Sequence, residues 1–191
     1  TSVSRDFVEL PSQLFEHWLT VPDVLRQFAL HHETGEAIPQ DLLDKVLAAR
    51  NFNAGFAAVE YTACALVDMA CHTAEEVDDP LAFENETLRE IGMPDAIVMR
   101  HRTPHFLHVF SGDGYSAGYY SYMWSEVLDA DAFSAFEETG DLFHEETADK
   151  LLRHIYSAGG SIDPEDTYRA FRGKMPDTAA MLKKKGLAGC Q

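Results

Sequence analysis

The sequence predicts a mainly α-helical chain, close to all helix from end to end. Three observations carry that expectation. Apolar residues recur at three- and four-residue spacings, as in Phe7, Leu10, Leu14 and Trp18. Helix-start signals with an early proline, Asp79-Pro80 and Asp163-Pro164, are each closed by a glycine, Gly92 and Gly173. Midway, HVFSGDGYSAGYYSYMWSE at 108–126 runs from a glycine-bearing loop into a tyrosine-dense helix. A chain of 191 residues can bury a sizeable core as one domain. No repeat, low-complexity linker or composition shift marks a boundary within it.

Taken in order, residues 4 to 19 read as the first helix, with Pro11 tolerable only in its first turn. Glu9 and Glu16 lie seven apart, two turns along one face, a pairing that suits a metal ligand and a supporting acid. The plainer reading is equally open, because Asp6-x-x-Glu9 resembles a capping box. After Val21-Pro22-Asp23 a short helix is expected to about His32. There His31, His32 and Glu33 read as a solvated helix end, since adjacent residues point apart. Pro39 opens a long helical stretch to about His72, interrupted near Asn51 to Gly55, with Tyr61 and Thr62 as core and His72 at the negative end of the dipole. A helix over 79–91 follows, then irregular chain over 93–114. His101, His105 and His108 have i, i+4, i+7 spacing there, but Pro104 breaks the helix that would make them a zinc triad. The tyrosine helix is expected to reach Phe136 and Gly140 to turn the chain. Further helices are expected over 143–156 and 163–173, then a last one from Met175-Pro176-Asp177 to Gly186, whose Lys183, Lys184 and Lys185 complement its dipole.

Fifteen Lys and Arg against 32 Asp and Glu give a formal net charge of −17. That charge repels phosphate backbones and anionic membrane surfaces, so neither nucleic acid nor membrane is an expected partner. Cys64, Cys71 and Cys190 form no CxxC pair, which favours neither a zinc knuckle nor a disulfide framework and points to the cytoplasm, with the periplasm as the alternative. No uninterrupted apolar run approaches the ~18 residues that span a bilayer. The opening TSVSRDFVEL lacks an initiator Met and begins in structured sequence, as a piece of a longer protein would.

On a helix, Tyr115, Tyr119 and Tyr122 would form one stripe. Buried phenols each need a hydrogen-bond partner, whereas phenols beside a loop are suited to donating to a carbonyl or a developing oxyanion. Half-buried helix packing explains the spacing as well.

Three segments together resemble the thimet oligopeptidase and neurolysin family of zinc metallopeptidases, with wording nearest the bacterial peptidyl-dipeptidases. They are DFVELPSQLFEHW at 6–18, the 108–133 stretch, and AGGSIDPEDTYRAFRGKMPDTAAMLKKKGL at 158–187. The resemblance spans essentially the whole chain and implies the C-terminal portion of a gluzincin-type catalytic domain. It implies Zn2+ held by two histidines of an HExxH helix and by Glu9 as third ligand, with Glu16 holding a ligand histidine in place. It implies His108, Tyr115 and Tyr122 as catalytic groups near the scissile carbonyl and its oxyanion. Tyr119 would bind substrate backbone or the free carboxylate, and Gly112 and Gly114 would let the loop close over bound peptide.

The chain departs from that family in one respect. HHETG at 31–35, HTAEE at 72–76 and HEETA at 144–148 all miss the second histidine, so no HExxH is present. A catalytic zinc normally takes three protein ligands, so this chain alone is expected to be inactive and to bind no zinc stably. Its partners would be peptide substrates and the HExxH-bearing portion, whose loss would leave an apolar face open. The alternative is a non-catalytic helical module that binds peptides or partners. In it Glu9 is a cap and the tyrosines form the binding surface.

Overall fold

The computed structural model describes residues 2–188; Thr1 and Cys190 lie outside them. The described residues are mainly helical, with irregular chain between the helices and no named strand among them. α1 (Leu10–Glu16) passes through a 3₁₀ turn (Trp18–Thr20) into α2 (Pro22–Phe28). α3 (Gln40–Ala49), α4 (Ala54–Thr73) and α5 (Pro80–Glu90) follow. A 3₁₀ turn (Thr103–His105) leads to the single-turn α6 (Leu107–Phe110), and then comes α7 (Ser121–Glu137). α8 (Glu145–Leu151) continues as a π-helical turn (Leu152–Tyr156), followed by α9 (Pro164–Arg172) and α10 (Ala179–Lys184).

The punctuation works as the sequence indicates. Asp79 and Asp163 accept hydrogen bonds from the first turns of α5 and α9. Gly92, Gly140, Gly173 and Gly186 all turn with positive φ. The long stretch breaks at Arg50–Asn53, where Asn53 adopts φ 55°. The limits of α1, α2 and α10 differ from expectation, α10 beginning at Ala179 rather than near Met175. α1 begins at Leu10, not residue 4, because Pro11 has to sit in the first turn. α2 ends at Phe28, and His31 to Glu33 lie in a turn closed by the isolated antiparallel bridge between Leu30 and Ala37. His31 Nδ1 accepts from the Glu33 and Thr34 amides in that turn, a local use of a residue expected at a helix end.

Where the sequence shows no boundary, the structure resolves two compact units, 1–52 with 125–191 and 53–124. One joint falls at the helix break before α4. The other falls inside α7, where no composition shift can mark it. In the first unit Leu10 and Leu14 of α1, Leu128, Phe133 and Phe136 of α7, Leu151 and Ile155, and Tyr168 and Phe171 of α9 form one core. Polar groups thread it. Tyr168 donates its hydroxyl to the Leu128 carbonyl and Asp131 at 2.9 Å each, and Arg172 reaches Asp131 at 3.1 Å. Asp129 Oδ1 accepts from His17 Nε2 at 2.5 Å and from Lys184 Nζ at 3.0 Å.

The second unit packs Cys64 and Val67 of α4 against Met99, Phe106, Val109 and Tyr119. α4 is rich in apolar residues on its buried and exposed sides alike. Phe56, Val59, Leu66 and Met69 stay exposed, and Val59 and Leu66 border a groove of about 420 Å³ with Ile91, Met93 and Pro94. By length and composition α4 could cross a membrane, contrary to the expectation from apolar runs. Its six alanines and two cysteines raise its mean hydropathy without any long run of large apolar side chains.

Candidate active site

The second unit gathers the tyrosines by a route other than a helical stripe. α7 starts only at Ser121, so Tyr115 and Tyr119 belong to the loop before it. The loop folds back so that the rings meet all the same. His108 lies 4.3 Å from Tyr115 and 5.7 Å from Tyr122 between ring centroids. The Tyr115 and Tyr122 rings are nearly parallel, 7° apart at 6.4 Å. The His108 Nε2 to Tyr122 hydroxyl distance is 3.0 Å, a hydrogen bond between a base and a phenol.

His108 is presented by short elements anchored on either side. Phe106 and Val109 are buried, which leaves His108 on the exposed side of α6. Upstream, the buried Glu84 of α5 accepts from the Thr103 amide at 2.6 Å and pairs with Arg102, fixing the approach to α6. His101 stacks on Phe106 at 5.0 Å. Burial, with Arg100 and His108 nearby, pulls its pKa below the ordinary histidine value. His101, His105 and His108 share no helix, and among the described residues no three His, Cys, Asp or Glu side chains converge as a metal site.

Tyr119 sits differently from its neighbours. It is 9% exposed, stacks on Tyr61 at 5.0 Å and meets Phe106 edge-on at 4.8 Å. Its carbonyl accepts from the Tyr61 hydroxyl, and burial pushes its own phenol pKa up. Tyr119, expected from the resemblance to bind substrate backbone or the free carboxylate, is placed by the structure in the core of the second unit.

One residue that motif reading passes over organises the loop. Asp68, 1% exposed on α4, accepts from the Ala117 amide at 3.1 Å and the Tyr119 amide at 2.9 Å. His72, one turn on, pairs with the same carboxylate at 2.8 Å rather than serving only the helix dipole. Ala117 takes φ 52°, the left-handed conformation, although three glycines stand nearby. Gly118 is needed for another reason, since a Cβ there would come within 3.0 Å of the Tyr115 carbonyl. Gly112 and Gly114 are exposed. The signal for Asp68 was a lone acid in an otherwise apolar helix face.

Glu9 belongs to the first unit and occupies the residue before α1 without capping it through its side chain. Its Oε2 and its carbonyl each accept from Ser12 Oγ at 3.0 Å. The Glu9 carboxylate is half-buried. Glu16 is exposed at the end of α1. One carboxylate does not make up a zinc site, so these residues do not hold the metal on their own.

Comparison with known proteins now bears on this arrangement. The profile of peptidase family M3 matches residues 1–187. The chain belongs to peptidase family M3. It is 46% identical to oligopeptidase A of Escherichia coli over 99% of its length and 41% identical to that organism's dipeptidyl carboxypeptidase over 98%. A thimet-like oligopeptidase of Dictyostelium discoideum is 34% identical over 98%. The M3 chain spans 28% of the length of each of these relatives.

Proposed function

We propose that this chain is the substrate- and oxyanion-binding portion of a zinc metallopeptidase that hydrolyses oligopeptides and releases C-terminal dipeptides. The observation that carries the reading is the meeting of the exposed His108 with the half-buried Tyr115 and Tyr122 in an M3 chain. Phenol and imidazole donors at a developing oxyanion stabilise it far more than bulk water does, because they are oriented in advance. With His108 Nε2–H donating to its oxygen, Tyr122 keeps its proton to donate to the oxyanion, with Tyr115 beside it. Tyr119, buried beneath the cluster, bears on the peptide by supporting the Tyr115 and Tyr122 side of the loop, and the open Gly112 and Gly114 let the loop close.

Zinc is the implied cofactor, held by two histidines of an HExxH portion outside this chain and by Glu9, with Glu16 steadying one histidine. When bound, it polarises the scissile carbonyl and activates water. The same HExxH-bearing portion is the partner that would cover the apolar outer face of α4. Free thiols at Cys64 and Cys71 support a cytoplasmic setting. Dipeptide release rests on the dipeptidyl carboxypeptidase relatives and is the finer part of the proposal.

The test is product analysis by mass spectrometry after mixing the chain with an HExxH-bearing portion of oligopeptidase A. Serial loss of dipeptides from free, but not amidated, C-termini supports the reading. Internal cuts regardless of the terminus leave peptide hydrolysis and remove the dipeptide rule. The competing reading, a non-catalytic helical binding module, is favoured by the open face of α4. It gains if peptides bind and no cleavage appears.

A further inference from the structure

We propose that Asp68 is a positioning residue that sets the geometry of the His108 and tyrosine cluster through the backbone of the loop. Its two carboxylate oxygens are divided between two amides of one turn, Oδ1 taking Ala117 and Oδ2 taking Tyr119. Two charge-assisted bonds from one rigid, buried carboxylate fix the direction of both peptide planes. Between those amides lies the peptide where Gly118 passes the Tyr115 carbonyl, whose oxygen accepts from the Gly118 amide at 2.8 Å. The turn therefore couples Tyr115 on its near side with Tyr119 and the start of α7, including Tyr122, on its far side.

The turn does not form by local preference. Ala117 is held at φ 52°, which an L side chain adopts at a cost that Gly would not incur. Ala117 remains there because Asp68 holds its amide. His72 Nδ1 reaches Asp68 Oδ1 at 2.8 Å and fixes the carboxylate's rotamer from the same helix. Asp68 accepts from the backbone amides of Ala117 and Tyr119, not from a ring of the cluster. It acts on Tyr115 and Tyr122 only through where the loop places them. The catalytic consequence rests on the peptidase reading above; the structural consequence does not.

Amide hydrogen exchange by NMR on the full 191-residue chain tests the structural part. Asp68→Asn is isosteric, but its amide nitrogen cannot accept the second N–H. Exchange at Ala117 and Tyr119 is expected to quicken by roughly ten- to a hundredfold, with the amides of α5 changed less than about twofold. A uniform rise across the second unit makes Asp68 a general stabilising residue and overturns the proposal, as does unchanged exchange at the two amides. If Asp68→Asn does not fold, Ala117→Gly decides. A glycine relieves the left-handed cost, so exchange at Tyr119 should slow, and faster exchange overturns the strained turn.

The catalytic part is read in the mixture with an HExxH-bearing portion. Asp68→Asn should lower kcat at least about tenfold, and adding Ala117→Gly in the same chain should restore part of it. No recovery by Ala117→Gly while exchange at Tyr119 is restored would separate loop geometry from turnover and overturn the positioning role. If the unsubstituted mixture is inactive, the peptidase reading fails, and the exchange data still judge the turn.

Discussion

At the scale of single residues, the molecule places ionisable groups where their proton affinities matter. His101 is held below its ordinary pKa of 6.5 by burial, then by Arg100 and His108. A lowered histidine pKa means that the unfolded chain binds a proton that the folded chain resists. Stability of the second unit is therefore expected to fall as pH drops below 6.5 towards the folded value, and to be unaffected by this group above it. Thermal unfolding at pH 7.5 and 5.5 measures the difference, and His101→Gln should flatten it. Tyr156 offers a case without charge. Burial raises its phenol to about 12, and its hydroxyl is buried with no hydrogen-bond partner beside the stacked Phe15. Tyr156→Phe removes an unpaired polar atom and should leave the chain as stable or more stable by about 1 kcal/mol in urea titration. The candidate residues His108, Tyr115 and Tyr122 were legible in the sequence because tyrosine, histidine and glycine crowd one short stretch. Asp68 was not, because its role depends on amides 49 and 51 residues away.

At the scale of elements, the sequence announces helix ends better than it announces what lies between them. Asp79-Pro80 and Asp163-Pro164 act through local hydrogen bonds, so their meaning survives without knowledge of the fold. The loop before α7 breaks that pattern. Tyr115 and Tyr119 have helical spacing, yet the Ala117 and Tyr119 amides bond to Asp68 instead of to carbonyls one turn back. A tertiary partner outcompeted the helix, and spacing alone could not reveal it. The packing of α7 with α9 likewise depends on one carboxylate. Asp131, buried, holds Arg172 at 3.1 Å, Lys174 at 3.2 Å and the Tyr168 hydroxyl at 2.9 Å. Arg172 also pairs with Glu138 and thereby lowers the Glu138 pKa. Asp131→Ala leaves Arg172 with Glu138 and the backbone carbonyl of residue 131 and removes the carboxylate from Lys174 and Tyr168, and should cost about 3–5 kcal/mol in chemical unfolding. Asp131→Asn keeps one acceptor and should cost less.

At the scale of the whole molecule, a chain of net charge −17 nevertheless leaves one face of α4 apolar. Charge keeps such a chain soluble, while an apolar helix face open to water invites a partner. Val59→Asp or Leu66→Asp in the groove of about 420 Å³ should weaken association with an HExxH-bearing portion at least about tenfold by calorimetry, with the helical circular dichroism of the chain unchanged. Self-association in place of that binding would assign the face to a second copy, and flotation with vesicles would assign it to a membrane. The two-unit organisation was not legible, because one joint lies within a continuous helix. On the proposed reading this M3 chain contributes Glu9 to a zinc site whose two histidines lie in an HExxH-bearing portion. The most direct measurement is zinc content by atomic emission, with dipeptide release, for the chain alone, the mixture with an HExxH-bearing portion, and the mixture carrying Glu9→Ala. Stable zinc and turnover in the mixture only, both lost with Glu9→Ala, are the predicted result. Stoichiometric zinc on the lone chain, or a Glu9→Ala mixture that keeps both, would contradict it.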